Sequence, residues 1–168
     1  MAEQNFVSTS VLYPGTFDPP TLGHVSLIQR SVLTFGKVVV AVAESSSKNT
    51  LFNQKQRIEL LKEMFKTNDC VEVVGFDGLL VHFAKSMGIN KIVRGLRTIS
   101  DFDFEYRMAT TNALVWSDLE TVFLMSEPEF NYISSTLVKQ VARGGGDISP
   151  FVPSIVEKAY KELQNGSD

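Results

Sequence analysis

The sequence predicts an α/β protein built as one doubly wound domain, with a five-stranded parallel sheet flanked by helices and further helices at the C-terminus. Three observations lead to this fold class. Five short runs rich in β-branched residues alternate with longer segments whose apolar residues recur at helical spacing. The runs are apolar on both faces, which is typical of parallel strands covered by helices on each side. The 168 residues, 43% of them hydrophobic, suit one domain with an enclosed core.

Each predicted strand is a short apolar run bounded by polar or turn-forming residues. The runs are STSVLY ending at Tyr13, KVVVAVA at 37–43, VEVVGF at 71–76, NKIVR at 90–94 and ETVFLM at 120–125. Their regular alternation with helical segments predicts a Rossmann-like arrangement. We expect the whole chain, 1–168, to form this single domain, with flexible ends at 1–5 and 165–168.

Apolar stripes at helical spacing mark the segments between the strands. The stripes are Ile28, Val32 and Phe35; Ile58, Leu61, Met64 and Phe65; Leu80, Phe83, Ala84 and Met87; and, more weakly, Tyr106, Ala109 and Ala113. Thr21 can cap the first helix, and Asn53 followed by Gln56 predicts a capping box at the start of the second. The run GGGDISP at 144–150 separates the last two helices, and the final helix is predicted over 154–163.

Composition argues against several classes of function. A net charge of −3 and a pI of about 5.4 provide no general attraction to nucleic acid or to an anionic membrane, so we expect neither partner. The single cysteine, Cys70, rules out an internal disulfide and a zinc site of several thiolates, and it favours a reducing, cytoplasmic setting. No apolar run approaches the roughly 18 residues of a membrane-spanning helix.

Candidate ligand-binding residues follow each of the predicted strands, and ligands bind at this edge of an open parallel sheet. In strand order, the segments are 13–24 (YPGTFDPPTLGH), Lys48, Leu79 with Leu80, Arg94 with Arg97, and 134–136. The chain has neither the P-loop pattern G-x-x-x-x-G-K-[ST] nor G-x-G-x-x-G after the first strand. We therefore expect a phosphate site of another construction at this edge.

The histidine and the hydroxyls near two helix starts admit two interpretations. Gly23 and His24 fall in the first turn of a helix, whose free N–H groups favour an anion, and a protonated His24 would add a charge-assisted hydrogen bond. Alternatively, His24 belongs to a capping turn and faces solvent. The hydroxyls of ISST at 133–136 suit either a phosphate or a simple serine cap.

The basic residues have competing interpretations too. Lys48 could be an ordinary exposed lysine of a loop. Arg94 and Arg97 flank a glycine beside a buried strand, where guanidinium groups need either an anion or carboxylates. The carboxylates within reach along the chain are those of Asp101, Asp103 and Glu105. Glu105 could itself hold a ligand hydroxyl, orient Arg97 or face water.

Taken together, these segments resemble known signatures. YPGTFDPPTLGH followed by ISST resembles the paired motifs of the nucleotidyltransferase superfamily, H/T-x-G-H and ISS[ST]-x-x-[RK], with Thr21 at the first position. More closely, YPGTFDP, SSSK, VEVVGFDGLL, IVRGLRTISDFDFEYRMA, VFLM and ISSTLVKQVARGGGDIS resemble the bacterial phosphopantetheine adenylyltransferase family. The resemblance extends over residues 11–156.

The resemblance implies an enzyme of coenzyme A biosynthesis. Such an enzyme transfers the adenylyl group of ATP to 4′-phosphopantetheine and gives dephospho-CoA and pyrophosphate, by direct in-line displacement at the α-phosphate without a covalent enzyme intermediate. The resemblance also implies a homohexamer, Mg²⁺ held through the ATP phosphates rather than by an assigned set of protein ligands, and CoA as a candidate feedback inhibitor.

The same resemblance assigns roles to individual residues. Catalytic roles go to Thr16, His24, Lys48 and Arg97. Positive charge for the transition state is expected from His24, Lys48, Arg94 and Arg97. Contacts to 4′-phosphopantetheine go to Thr16, Lys48, Leu80 and Arg94. Contacts to ATP go to Thr16, Phe17, His24, Gly95, Leu96, Arg97, Glu105, Phe130, Asn131, Tyr132, Ile133, Ser134, Ser135 and Thr136.

Three other functions compete with this one. The nearest is a related nucleotidyltransferase that acts on nicotinamide mononucleotide or a polyol phosphate, although GFDGLL and RGLR resemble the pantetheine side of the family. A second is a nucleotide-binding regulator without enzymatic activity. The third is an NAD oxidoreductase, which the missing glycine pattern disfavours.

Overall fold

The computed structural model describes residues 10–45 and 50–165, and it confirms the predicted α/β class. Five parallel strands form one sheet: β1 (Val11–Gly15), β2 (Val38–Ala43), β3 (Val71–Phe76), β4 (Lys91–Leu96) and β5 (Glu120–Met125). The helices are α1 (Leu22–Phe35), α2 (Gln54–Met64), α3 (Leu80–Ser86), α4 (Ile99–Val115), α5 (Ser135–Arg143) and α6 (Ser154–Asn165). A 3-10 turn, Pro128–Phe130, precedes α5.

The strand order β3-β2-β1-β4-β5 places β1 in the centre of the sheet. The chain moves outward from β1 through β2 to β3, and then returns to the other side of β1 for β4 and β5. Leu12 of β1 pairs with Ile92 of β4, and Val11 pairs with Val38 of β2. The connections after β1 and β4 therefore diverge, which opens a crevice at the carboxyl ends of these two strands.

The central strands are buried on both faces, as their sequences predict. Val38, Val40 and Val42 of β2 pack in one cluster with α1 and α2, whereas Val39 and Ala41 pack in another with α3. A third cluster, which includes Phe52 and Val156, attaches the C-terminal helices to α2. Each aliphatic side chain buried in this way contributes about 1.5–3 kcal/mol, so packing rather than any single contact supports the crevice.

Both predicted helix caps are present, and one of them is unusual. Asn53 and Gln56 form the expected capping box of α2. In α1 the cap is Thr21, and the residue that reaches back to the cap's backbone N–H is His24. Glutamate or glutamine normally takes that place in a capping box. The cap of α1 therefore also fixes the ring of the candidate active-site histidine.

Two sequence-based expectations are wrong. The predicted fourth strand ends at Arg94, whereas β4 extends to Leu96, so Arg94 lies within the strand and not at its end. The predicted apolar stripe of α4 does not face the core: Tyr106 is 56% exposed, and the buried residues of this helix are Glu105 and Asn112. The reason is that α4 covers polar groups of β4, chiefly the guanidinium of Arg94.

Within the described ranges, no helix is long and apolar enough to cross a membrane.

Candidate active site

A pocket of about 280 Å³ opens at the carboxyl ends of β1 and β4, in the crevice between the diverging connections. The loop between β1 and α1, the end of β4 and the segment that leads into α5 line it. Two helix starts contribute, because α1 begins after Thr21 and α5 begins after Ser134, and both caps line the pocket. The free backbone N–H groups of helix starts favour an anion.

His24 is held in one tautomer by its own helix cap. The backbone N–H of Thr21 donates a hydrogen bond of 3.0 Å to Nδ1, so the proton of the neutral ring is on Nε2. The ring of Phe17 packs edge-on against the imidazole, with centroids 5.0 Å apart. Burial, together with the charges of Arg97 and Arg94, lowers the pKa of His24 to about 4. This lowered pKa favours a neutral imidazole that acts as a hydrogen-bond donor in the unliganded protein. That His24 supplies positive charge to bound phosphates stays a prediction.

Arg94 and Glu105 form a two-point ion pair across the pocket wall. Nε donates to Oε2 at 2.7 Å, Nη2 donates to Oε1 at 2.5 Å, and Nη1 donates to the carbonyl oxygen of Pro14 at 2.6 Å. Burial alone would lower the pKa of Arg94, but the hydrogen bonds and charge of Glu105 raise it. Glu105 therefore orients Arg94, and neither of the alternatives of orienting Arg97 or facing water is correct.

A second cavity of about 220 Å³ adjoins the pocket, and Arg94 and Glu105 line both cavities. We call this second cavity the side groove. Its other lining residues are mostly apolar: Leu80, Ile92, Phe104, Met108, Ala109, Asn112 and Thr121. Asn112 is buried, and its side-chain amide makes no hydrogen bond within the described residues. The side groove thus offers an apolar channel that contains one free amide and begins at a guanidinium.

Arg97 is also engaged by a carboxylate. Its Nε and Nη2 donate to Asp101, at 3.0 and 3.2 Å, and its Nη1 donates to the carbonyl oxygen of Ile133 at 3.1 Å. Burial would raise the pKa of Asp101, but the hydrogen bonds and charge of Arg97 lower it. Arg97 thereby joins the end of β4 to the segment before α5, and it keeps part of its side chain exposed in the pocket.

Comparison with known proteins shows the family. The family model described as cytidylyltransferase-like matches residues 12–141. A phosphopantetheine adenylyltransferase from Maridesulfovibrio salexigens is 49% identical over 94% of this chain and 95% of its own length. Another, from Caldanaerobacter subterraneus subsp. tengcongensis, is 47% identical over 90% of this chain and 94% of its own length. The chain belongs to the phosphopantetheine adenylyltransferase family.

A solved structure supports the fold alone. The lipopolysaccharide core biosynthesis protein from Thermoplasma volcanium superposes with a TM-score of 0.52 at 19% identity, over 71% of this chain and 96% of its own.

Membership of the phosphopantetheine adenylyltransferase family makes the protein a nucleotidyltransferase, as the paired motifs suggested.

The structure brings together most of the residues that the family resemblance named. Those that line the pocket are Thr16, Phe17, His24, Arg94, Gly95, Arg97, Glu105, Phe130, Ile133, Ser134, Ser135 and Thr136. Leu80 lines the side groove instead. Leu96 is buried, Asn131 and Tyr132 are exposed, and none of these three lines the pocket. Lys48 lies outside the described residues.

Sequence reasoning assigned no individual role to several residues in or beside the pocket. Tyr13 of β1 and Ser126, which directly follows β5, line the pocket. Burial raises the pKa of Tyr13 to about 12, so its hydroxyl stays protonated. Asp18 lies in the prominent TFDPP stretch, where a carboxyl group between an aromatic residue and two prolines was a usable signal. Arg57 had no such signal, because its QKQRIELL context resembles an ordinary exposed helix.

Two further features bear on the ligand. Within residues 10–45 and 50–165, no three histidine, cysteine or acidic side chains are grouped to hold a metal ion. The pocket carboxylate of Glu105 is already engaged by Arg94, so the described residues of the pocket supply no free carboxylate ligand. A larger cavity of about 410 Å³ lies between α2 and α6, but its charged residues are Glu59, Glu63 and Glu162, which repel phosphate.

Proposed function

We propose that this protein transfers the adenylyl group of ATP to 4′-phosphopantetheine, giving dephospho-CoA and pyrophosphate in coenzyme A biosynthesis. The observation that carries the proposal is the pair of cavities that share Arg94 and Glu105. The pocket, with its two helix starts and basic residues, suits the anionic triphosphate. The side groove begins at a guanidinium and continues as an apolar channel with a free amide, which suits a phosphate joined to a pantetheine arm.

The reaction requires alignment and charge stabilisation rather than a protein nucleophile. A phosphate oxygen of 4′-phosphopantetheine attacks the α-phosphorus of ATP, the bond from that phosphorus to the oxygen bridging to the β-phosphate breaks, and pyrophosphate leaves with that oxygen. Because the attacking phosphate is already anionic, no base is needed to activate it. Holding the two anions in line and stabilising the charge that develops are the protein's contributions.

Each contribution can be given to residues in the pocket. His24 donates Nε2–H to an oxygen of the α-phosphate, and the N–H groups at the starts of α1 and α5 bind further phosphate oxygens. Arg94, oriented by Glu105, binds the phosphate of the acceptor at the entrance of the side groove. Thr16 and Arg97 contact ATP. We assign a further positive charge for the reacting phosphates to Lys48, which lies outside the described residues. The adenine is received by the segment 130–136.

We also propose that Mg²⁺ enters with ATP. The described part of the pocket offers hydroxyl groups but no free carboxylate, which would suit an ion that arrives with the nucleotide rather than one held by a protein cage. When bound, Mg²⁺ supplies charge neutralisation of the triphosphate and stabilises the leaving pyrophosphate. The pocket residues then need to bind the complex of ATP with Mg²⁺, and they need not bind the ion themselves.

We propose further that the chain assembles into a homohexamer through its exposed apolar surface. One face is formed by Ile99, Phe102 and Tyr106 of α4 with Phe123 and Met125 of the edge strand β5, and we call it the α4–β5 face. The rings of Phe102 and Phe123 are in contact, and Ile99 is 90% exposed. Monomers rarely leave such a patch uncovered, so a second copy of the chain is its expected occupant.

Two consequences for regulation and location belong to the same proposal. CoA carries the adenylyl and pantetheine groups of dephospho-CoA, so it fits both cavities and should inhibit by competition with the substrates. The protein acts in the cytoplasm, where ATP is available.

The test is a comparison of acceptors with the purified full chain. We expect pyrophosphate and an adenylylated product with ATP, Mg²⁺ and 4′-phosphopantetheine, no turnover without Mg²⁺, and no turnover with nicotinamide mononucleotide or glycerol 3-phosphate. Mass spectrometry of the product identifies the acceptor. Turnover with nicotinamide mononucleotide instead would contradict the proposal in favour of a related nucleotidyltransferase. ATP binding without pyrophosphate release from any acceptor would indicate a regulator.

A further inference from the structure

Arg57 is a fully buried arginine beneath the pocket, and it does not line the pocket itself. Its Nε donates to the carbonyl oxygen of Phe52 at 3.1 Å, and its Nη1 donates to the carbonyl oxygens of Ala43, at 2.9 Å, and Thr16. Its Nη2 is buried without a hydrogen-bond partner among the described residues. Burial lowers the pKa of Arg57, whereas the charges of Asp18 and Glu44 raise it. Burying a guanidinium whose hydrogen bonds go to three backbone carbonyls costs free energy of folding, so its presence requires an explanation.

Arg57 and Asp18 are linked through one residue. Phe52 gives its backbone N–H to Asp18 Oδ1 at 2.9 Å, while its carbonyl oxygen accepts from Arg57. Asp18 also accepts hydrogen bonds from the N–H of Leu51 and from Nζ of Lys139, the latter at 3.1 Å. Since Arg57 binds the carbonyl of Thr16, the contacts close a ring that runs from Thr16 through Arg57 and Phe52 to Asp18.

The one residue between the two anchored positions of this ring is Phe17. Its φ of 51° lies in the left-handed region, which a bulky residue adopts only when its surroundings impose it. The Phe17 side chain is almost fully buried, and its ring contacts the rings of Tyr13 and His24. The two anchors therefore hold a strained backbone whose side chain forms one wall of the site around His24.

We propose that Arg57 is a positioning residue for adenylyl transfer: by holding the Thr16 carbonyl while Asp18 holds the other end, it keeps Phe17 against His24 and so aims Nε2 of that histidine. This inference rests on the proposed function. It explains the cost of the buried guanidinium, because a shift of the reacting groups by about 1 Å can lower a rate by about 10²-fold.

The main test is Arg57→Lys, which keeps the charge but cannot bind three carbonyls with a fork of N–H groups. The matched control is Lys55→Met, a change at an exposed position on the same helix. We expect R57K to lower kcat by about 10²-fold while the KM for ATP stays within about threefold, and K55M to match the parent. A folded R57K with kcat within about twofold of the parent, or with a loss confined to KM, overturns the proposal.

The second readout is the protonation of the His24 ring nitrogens, followed by ¹⁵N NMR without substrates. The parent should show Nδ1 free of a proton. R57K should show a mixture of tautomers, because loss of the Phe17 contact lets the ring turn away from the Thr21 N–H that makes Nδ1 the acceptor. A lowered kcat with an unchanged tautomer would place the effect of Arg57 elsewhere and also overturns the proposal. If the parent itself transfers no adenylyl group, the proposed function fails, whereas this NMR comparison still decides the link to His24.

A further variant covers the case in which R57K does not fold. Phe17→Leu keeps a buried apolar side chain but removes the ring that contacts His24. We expect the same pair of effects, a lower kcat and a mixed tautomer. A folded F17L with the parent's kcat and tautomer overturns the proposal on its own.

Discussion

The backbone N–H of Thr21 lies 3.0 Å from Nδ1 of His24, and this contact decides which proton the histidine can offer to a ligand. A backbone amide is always a donor, so Nδ1 must accept, and Nε2 carries the only proton of the neutral ring. Protonation of Nδ1 would break the contact. The helix cap and the chemistry of the site therefore depend on the same pair of atoms.

The lowered pKa of His24 predicts a dependence of stability on pH. The folded protein protonates His24 near pH 4, and the unfolded chain does so near pH 6.5, so the unfolded state binds more protons between these values. The contribution of neutral His24 to the free energy of unfolding is therefore complete above about pH 6.5, and it is lost as the pH falls toward 4. Chemical denaturation of the parent and of His24→Gln at several pH values between 7 and 4 gives the free energy of unfolding of each. The parent should show the steeper decrease of this free energy as the pH falls.

The control for this titration is the other histidine, His82, which is exposed on α3. In His82→Gln, the free energy of unfolding should depend on pH as steeply as in the parent, whereas in His24→Gln the dependence should be weaker. Bound ATP should shift the His24 titration upward, because negative phosphate oxygens favour the imidazolium. A parent and a His24→Gln variant with equal slopes would contradict the depressed pKa.

Removal of the imidazole should affect turnover more than binding. His24→Ala deletes a donor that we assign to the α-phosphate, where charge increases in the transition state, so kcat should fall by about 10²-fold or more. The Kd for ATP, measured by calorimetry, should change much less because other groups bind the triphosphate. A turnover within a few fold of the parent would contradict the role assigned to His24.

The ion pair of Arg94 and Glu105 should contribute to both stability and acceptor binding. Glu105→Gln leaves a half-buried guanidinium without its carboxylate, so we expect a loss of about 2 kcal/mol in the free energy of unfolding. The KM for 4′-phosphopantetheine should rise more than the KM for ATP, since Arg94 loses its orientation. Asp103→Asn on the same helix disrupts the exposed pair with Arg107, and it should change stability by no more than about 0.5 kcal/mol. Equal effects of the two changes would contradict this account.

The α4–β5 face should control the oligomeric state. Phe102→Glu introduces a charge beside Phe123 and Tyr106, so it should dissociate the assembly because a buried carboxylate has no partner there. Sedimentation velocity at several concentrations measures this. Met87→Glu, at an exposed residue just after α3, is the control and should sediment like the parent. A Phe102→Glu variant that keeps the assembly would show that this face is not the interface.

Local sequence signals were sufficient for the strands and the helix caps. The bounds of β3 and β5 agree with their apolar runs to the residue, and Thr21 and Asn53 cap helices as their side chains predict. These features depend on neighbours within a few positions. The crevice followed as well, because any open parallel sheet gathers the segments that follow its strands at one edge.

Charge states and distant partners could not be predicted in the same way. The neutral form of His24 depends on burial and on Arg97, which is far away in sequence, and the choice of Glu105 rather than Asp103 as the partner of Arg94 depends on how α4 rotates over β4. Arg57 illustrates the limit most clearly. Its helix looks exposed in sequence, yet its guanidinium binds the carbonyl of Thr16 across 41 positions of chain.

The common wall formed by Arg94 and Glu105 makes the two cavities energetically dependent on each other. A single guanidinium faces both, so an anion bound in one cavity reduces the positive charge felt in the other. Linkage requires that the effect be reciprocal: whatever factor the nucleotide imposes on the affinity of the acceptor, the acceptor imposes on the affinity of the nucleotide. The affinities of the two cavities for anions are thus coupled through one side chain.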